Sequence, residues 1–404
     1  MRINKLQELK IGELRARIPI IQGGMGVGIS LAGLAAAVAN EGGIGVIAAA
    51  GIGMTESDFF SNYLGSNVRA IKKEIRKARA HTKGVLGVNI MVALSNYADM
   101  VKTSVSEGID IIFSGGGLPL DLPQLLNGNM KTKLVPIVSS GRAARIICKR
   151  WSERHNRLPD ALVVEGPMAG GHLGFRPEDI DDADHTLEKL IPEVISEIKP
   201  FIDKHGIDIP VIAAGGVYTG EDISRFIHLG AAGVQLGTRF VTTHECNASE
   251  EFKQAYIDSA EEDIVVISSP VGMPGRAIRN QFLVDVSEGK KKPYKCPYHC
   301  IRTCDYEESP YCIFFALINA QRGKLKHGFA FAGSNAWRAT EIISVHELMT
   351  SLMREFEAAE ASTAEVETAE VETAEAETAG AETAGAEAEI AARAHDAGPA
   401  SLAG

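Results

Sequence analysis

The chain predicts a (β/α)8 barrel, and three observations carry that reading. Apolar runs of strand length alternate with helical stretches eight times within about 240 residues. The runs are near-continuously apolar, which marks strands buried on both faces, as parallel strands are. The last two end in glycines: Val211-Ile-Ala-Ala-Gly215-Gly216-Val, then Gly233-Val-Gln235-Leu-Gly237-Thr238-Arg-Phe. Exposed backbone amides after two consecutive strands make a phosphate cradle, which in such a barrel follows strands seven and eight.

Taken in order, the first run is Pro19-Ile-Ile-Gln-Gly-Gly24, followed by a helical stretch at 30–41. Gly45-Val-Ile-Ala-Ala-Ala comes next, with a long charged helical stretch at 66–82. Val85-Leu-Gly-Val-Asn89-Ile-Met precedes helix 96–107, and Ile109-Asp-Ile-Ile-Phe-Ser-Gly precedes 119–130, a short Pro/Asn-rich stretch that makes a poor helix. Leu134-Val-Pro-Ile-Val-Ser139-Ser is followed by helix 141–153, and Ala161-Leu-Val-Val-Glu165-Gly by a glycine-rich loop and helix 184–200. Ile209-Pro-Val-Ile-Ala-Ala-Gly and Gly233-Val-Gln-Leu-Gly close the series, with helix 220–229 between them.

Such alternation builds a parallel sheet with right-handed crossovers. The competing architecture, a doubly wound open sheet, needs G-x-G-x-x-G after its first strand and an acid ending its second. Here the first turn is Gly23-Gly-Met-Gly-Val-Gly28, and no acid ends the second run. The chain then divides into a barrel over 1–240, a cap over 241–354 that packs beside the barrel mouth, and a Glu/Ala/Thr tail over 355–404. In the tail, threonine recurs at 363, 368, 373, 378 and 383, and the apolar bulk is too small to bury, so disorder is expected there.

Composition excludes several classes. The net charge is −11 in 404 residues, but residues 355–404 hold thirteen acids against Arg393, which leaves the rest near +1. A near-neutral body without a basic stripe is not a nucleic-acid binder. The N-terminus lacks the apolar core of a signal peptide, and the longest low-charge stretch, 18–40, is broken by Pro19 and glycines. Six cysteines in a chain of this length are no secreted scaffold, so a cytoplasmic protein without a membrane partner is expected.

The chemistry should sit at the C-terminal ends of the strands. Glycine or polar residues cluster there: Gly23, Gly24 and Met25, Asn89, Ser114 to Gly117, Ser139 and Ser140, then Glu165 to Gly174. With the cradle at Gly215, Gly216, Gly237 and Thr238, that mouth suits a planar ligand with a single phosphate, and FMN fits better than a dinucleotide. Glycines at strand ends are otherwise only turn formers. His172 lies in the loop with Gly170 and Gly171, and an ordinary imidazole there exchanges a proton near neutral pH or simply bonds a loop carbonyl.

Two further groups stand outside the barrel strands. Cys296, Cys300 and Cys304 are spaced by four, as on one side of a helix with Pro297 in its first turn, and Cys312 follows. Four cysteines can hold zinc or an iron–sulfur cluster, or be plain buried thiols or a redox-labile pair; the spacing matches no standard metal pattern. Arg276 and Arg279, in a Gly/Pro-rich loop, read either as guides for an anionic substrate or as ordinary surface arginines.

Pro19-Ile-Ile-Gln-Gly-Gly-Met-Gly, Gly87-Val-Asn89, Ala169-Gly-Gly-His172-Leu-Gly, Ala214-Gly-Gly-Val and Gln235-Leu-Gly-Thr-Arg-Phe240 resemble the nitronate monooxygenase family. That family was formerly called 2-nitropropane dioxygenase and includes the flavin-dependent enoyl-ACP reductases. The resemblance runs from about residue 15 to 340. It implies FMN bound non-covalently, with Gly23, Gly24 and Met25 against the ring, Asn89 bonding it, and Gly215, Gly216, Gly237 and Thr238 on its phosphate. Ser139, Glu165, Gly170, Gly171 and Gln235 complete the implied cofactor set, and His172 is the implied catalytic residue.

The implied reaction oxidises alkyl nitronates with dioxygen to a carbonyl compound and nitrite. In it, His172 orients the nitronate oxygens or takes the α-proton of a neutral nitroalkane. An NAD(P)H-dependent reductase of enoyl thioesters or quinones is the alternative, and a flavin-binding barrel without turnover a third. The partners implied are a small substrate and dioxygen, with a homo-oligomer left open. Two positions depart from many family members: Met168 stands where they have glutamate, and Leu173 where they have arginine.

Overall fold

A computed structural model describes residues 6–291, 296 and 298–364. Eight parallel strands form its centre: β1 (Ile20–Gln22), β2 (Gly45–Ala48), β3 (Leu86–Met91), β4 (Ile111–Gly115), β5 (Lys133–Val138), β6 (Leu162–Glu165), β7 (Val211–Ala214) and β8 (Gly233–Leu236). Their order is β1-β8-β7-β6-β5-β4-β3-β2, and a parallel bridge between Ile21 and Ile44 brings the last beside the first. The ring closes as the (β/α)8 reading requires.

Side chains along each strand alternate between two apolar environments. Ile21, Val46, Phe113, Val135, Val163, Ile212 and Ala214 fill the inside of the ring. An N-terminal hairpin, Leu9–Ile11 with Leu14–Ala16, adds Leu9 and Ile11 to that cluster and seals the N-terminal end. The other faces of the strands pack on α1 (Ala32–Asn40), α2 (Tyr63–His81), α3 (Tyr97–Ser106), α4 (Gly141–His155), α5 (Leu187–His205) and α6 (Gly220–His228). Local sequence starts several of these helices. Asn62 accepts from the Gly65 amide at 3.1 Å, Ser140 from the Ala143 amide at 3.2 Å, and Thr219 and Asp222 form a reciprocal capping box. The Pro/Asn-rich stretch after β4 makes only a short 3-10 turn, Leu122–Leu126, as its composition predicts.

The barrel does not end at residue 240. A helix over 345–364 lies against the start of α6 and the end of α1. The Gly220 amide donates to Glu355 at 2.8 Å, Ser224 donates to Glu360 at 2.6 Å, and His346 pairs with Glu41 at 3.1 Å. This helix takes the eighth outer place, so 241–344 is an insertion between β8 and its helix. Phe356 and Glu360 are buried, so the expected tail boundary at 355 falls inside an ordered helix. The physical reason is coverage: β8 and β1 would otherwise face water on their outer side. The rest of the tail, from 365, lies outside the described residues. Among the described residues, no helix is long and apolar enough to cross a membrane.

Candidate active site

The top layer inside the barrel is where the interior turns polar. Glu165 pairs in register with Ala214, and Ala214 with Gln235, so these two side chains flank one inward-facing alanine. Asn89 faces the same interior, paired with Ala48 and Phe113. All three are half-buried, and among the described residues none of their side chains has a hydrogen-bond partner. Three polar groups aimed inward above a filled apolar core leave their bonding capacity for something that enters the mouth.

Close backbone approach shapes one wall. A Cβ on Gly24 would lie 2.3 Å from the Asn89 Cβ, so only glycine lets the β1 loop close over Asn89. Ser30 accepts from the Met25 amide at 3.0 Å and from Gln22 Nε2 at 3.0 Å, which holds that loop open toward the mouth. On the opposite side, Gly215 and Gly216 take φ of +85° and +103°, a region other residues avoid. Their loop and the short helix Thr238–Val241, which follows Gly237, lie after adjacent strands β7 and β8.

The insertion supplies a strap that motif reading undervalued. Asn335 donates to the Gly216 carbonyl at 2.7 Å, the Gly333 amide donates to Thr238 Oγ1 at 3.1 Å, and the Ser334 amide donates to the Met168 carbonyl at 3.0 Å. Gly328-Phe-Ala-Phe-Ala-Gly-Ser-Asn335 therefore ties the β6, β7 and β8 loops together. Its Gly/Ser/Asn ending was the available signal.

His172 sits in a three-stranded antiparallel sheet. Gly171–His172 pairs with Pro274–Ile278, which pairs with Ile264–Ser268. Its Nε2 lies 2.8 Å from Ser269 Oγ, and its ring meets Phe331 edge-on at 5.0 Å. Ser269 Oγ also accepts from the Val271 amide at 3.4 Å. Ser269 Oγ keeps both a hydrogen and a lone pair for Nε2, so this bond forms with either imidazole tautomer. Burial pushes His172 down to about 4. It is therefore neutral across the working range, which corrects the expectation of a group titrating near pH 7. Burial pushes the Glu165 carboxyl the other way, up to about 7.

Arg276 is buried: its guanidinium donates to the Pro167 and Ala169 carbonyls and pins the loop that carries His172, so it is neither a substrate guide nor a surface residue. Arg279 is an exposed partner of Asp263 at 3.3 Å. Leu173, which stands where many family members have arginine, is buried in the core. Met168 is 44% exposed beside Gly216. Ser139 packs against Gly174, and a Cβ on Gly170 would meet the Gly333 amide at 2.5 Å.

Among the described residues, the cysteine segment is not a helix. Cys300 and Arg302 pair with the loop after β3: the Ser95 amide donates to the Cys300 carbonyl at 3.1 Å, and the Arg302 amide to the Ala93 carbonyl at 2.9 Å. Those bridges use the backbone groups a helix would need. Pro297 lies outside the described residues. Cys312 caps the helix Ile313–Gln321.

Residues 7–355 match the family description "Nitronate monooxygenase". A protein of Staphylococcus aureus named as a probable nitronate monooxygenase is 30% identical over 307 residues, 68% of this chain and 79% of that one. A Mycobacterium tuberculosis protein named (3aS,4S,5R,7aS)-5-hydroxy-7a-methyl-1-oxo-octahydro-1H-indene-4-carboxyl-CoA dehydrogenase is 29% identical over 276 residues. These are 68% of this chain and 66% of that protein, just under two thirds of its length. Among solved structures, FabK from Thermotoga maritima superposes with a TM-score of 0.65 at 28% identity, covering 84% of this chain and 93% of that one. A match across most of the chain, over the residues that build the barrel and its mouth, places the chain in the nitronate monooxygenase family, and it is a flavin-dependent oxidoreductase.

Proposed function

We propose that this chain is an FMN-dependent nitronate monooxygenase that converts an alkyl nitronate and dioxygen to a carbonyl compound and nitrite. The observation that carries the reading is the neutral imidazole of His172, half-buried and held by Ser269 at 2.8 Å. A neutral imidazole carries one N–H, with which His172 donates a hydrogen bond to a nitronate oxygen and orients it without a charge of its own. A conjugate acid near 4 makes His172 a poor base for a carbon acid, so the substrate is the preformed nitronate.

The residues of the mouth fit FMN. Asn89, Glu165 and Gln235 have free polar groups for the edges of a flavin, with Gly23, Gly24, Met25 and Ser139 beside the ring and Gly170 and Gly171 closing over it. Gly215, Gly216, Gly237 and Thr238 offer amides for one phosphate. Thr238 accepts from Gly333 yet keeps its own hydroxyl hydrogen to donate. Bound FMN supplies the electron exchange between nitronate and dioxygen. Propionate 3-nitronate should give nitrite with matched oxygen uptake, and the parent nitroalkane should be a far poorer substrate. Absence of nitrite above a free-flavin control would overturn the proposal.

A second reading is favoured by Met168, an exposed apolar residue at the rim, and by the acyl-CoA substrate in the name of the mycobacterial relative. It is an NAD(P)H-dependent oxidoreductase of enoyl or other acyl thioesters, or of quinones. Rapid anaerobic bleaching of the flavin by NADH or NADPH would support it; a flavin left oxidised excludes it.

A further inference from the structure

Four of the six cysteines converge on one place. Cys296, Cys300, Cys304 and Cys312 line a single pocket, and none forms a disulfide. The other two, Cys148 and Cys246, are buried singly elsewhere. Ile301, Ile313, Tyr306 and Tyr311 make up most of the remaining wall, which is therefore apolar and aromatic around the sulfurs. Cys300 and its neighbour Arg302 are anchored to the loop after β3 by backbone bonds, and Cys312 is brought in from the start of a helix.

The spacing of the sulfurs decides between metals. Zinc bound at about 2.3 Å by four sulfurs holds them about 3.8 Å apart. Among the described residues, no three of these sulfurs lie within 4.8 Å of one another. A cuboidal iron–sulfur core holds its thiolates farther apart, because each binds a different iron at a corner of the core. Four cysteines lining one pocket, with sulfurs too spread for a single tetrahedral ion, match the larger group.

We propose that Cys296, Cys300, Cys304 and Cys312 hold an iron–sulfur cluster of the four-thiolate 4Fe–4S class at the rim of the barrel mouth. The cluster would lie over the loop that follows Asn89. Thr303 donates to the Val271 carbonyl at 3.0 Å, so the same segment touches the turn that supplies Ser269 to His172. Tyr63, Tyr298 and Phe314 pack together beside it and limit solvent access.

The test is metal analysis of the full chain purified without oxygen, because flavin absorbance overlaps that of such a cluster. About four irons and four acid-labile sulfides per chain are expected, with a low-temperature paramagnetic signal after dithionite reduction. Cys304→Ser and Cys312→Ser should each lose most of that iron and sulfide while keeping flavin, and Cys148→Ser should keep both. Protein that carries only zinc, or that takes up neither iron nor sulfide on anaerobic reconstitution, overturns the proposal. So does full iron in the Cys304→Ser/Cys312→Ser double variant. Flavin content is read separately, so failure here leaves the function proposed above untouched.

Discussion

At the scale of single residues, the mouth inverts the usual order of its two titratable groups. Glu165, raised by burial to about 7, loses its proton near neutrality, whereas His172, lowered by burial to about 4, stays neutral. A carboxyl raised on folding favours the folded state below its unfolded value of 4.5, and that benefit is lost as pH climbs through 7. Glu165→Gln should therefore stabilise the flavin-free protein by about 2–3 kcal/mol at pH 8 and by almost nothing at pH 4, read by urea unfolding. Equal effects at the two pH values would refute it. A lowered imidazole runs the other way: its contribution is present above 6.5 and is lost as pH falls to about 4. His172→Ala should lower kcat/KM for the nitronate by about 10²-fold, the size of a lost orienting contact, with flavin retained.

At the scale of elements, two pieces from far along the chain complete the barrel and its site. The helix over 345–364 buries Phe356 against α6, where a Cβ on Gly220 would lie 2.2 Å from the Phe356 amide. Phe356→Ala should cost about 3–5 kcal/mol, measured as a fall in melting temperature. Arg276 acts through the carbonyls of Pro167 and Ala169. Arg276→Met keeps much of its bulk but leaves those acceptors unpaired, so it should raise KM for the nitronate more than it lowers flavin content. An unchanged KM would assign Arg276 to stability alone.

At the scale of the whole molecule, the insertion between β8 and its helix makes one body of barrel and cap. The Gly333–Asn335 strap holds the loops of β6, β7 and β8, and Ser269 reaches His172 from the same insertion. A chain ended after residue 364 should keep its melting temperature and nitrite production, because the described core closes by Phe356 and Glu360. A chain ended at 344 exposes β8 and β1 and should not fold. Thermal unfolding of both truncations checks the pair.

Much of this was legible in one dimension. Doubly buried strands announce themselves as unbroken apolar runs, and positive-φ cradles as glycines, because backbone sterics act locally. Those signals alone determined the barrel, the positive-φ turn at Gly215 and Gly216 and the polar strand ends at Asn89, Glu165 and Gln235. Burial and partnership depend on what arrives from elsewhere in the chain. Tertiary structure alone decided that Arg276 is a buried pin, that Leu173 faces the core and that His172 is neutral. It also decided that three cysteines spaced like a helix form a loop around a cavity, and that the eighth helix lies beyond a hundred inserted residues. Long-range packing sets desolvation and spends backbone hydrogen bonds, and neither is written in the spacing of neighbouring residues.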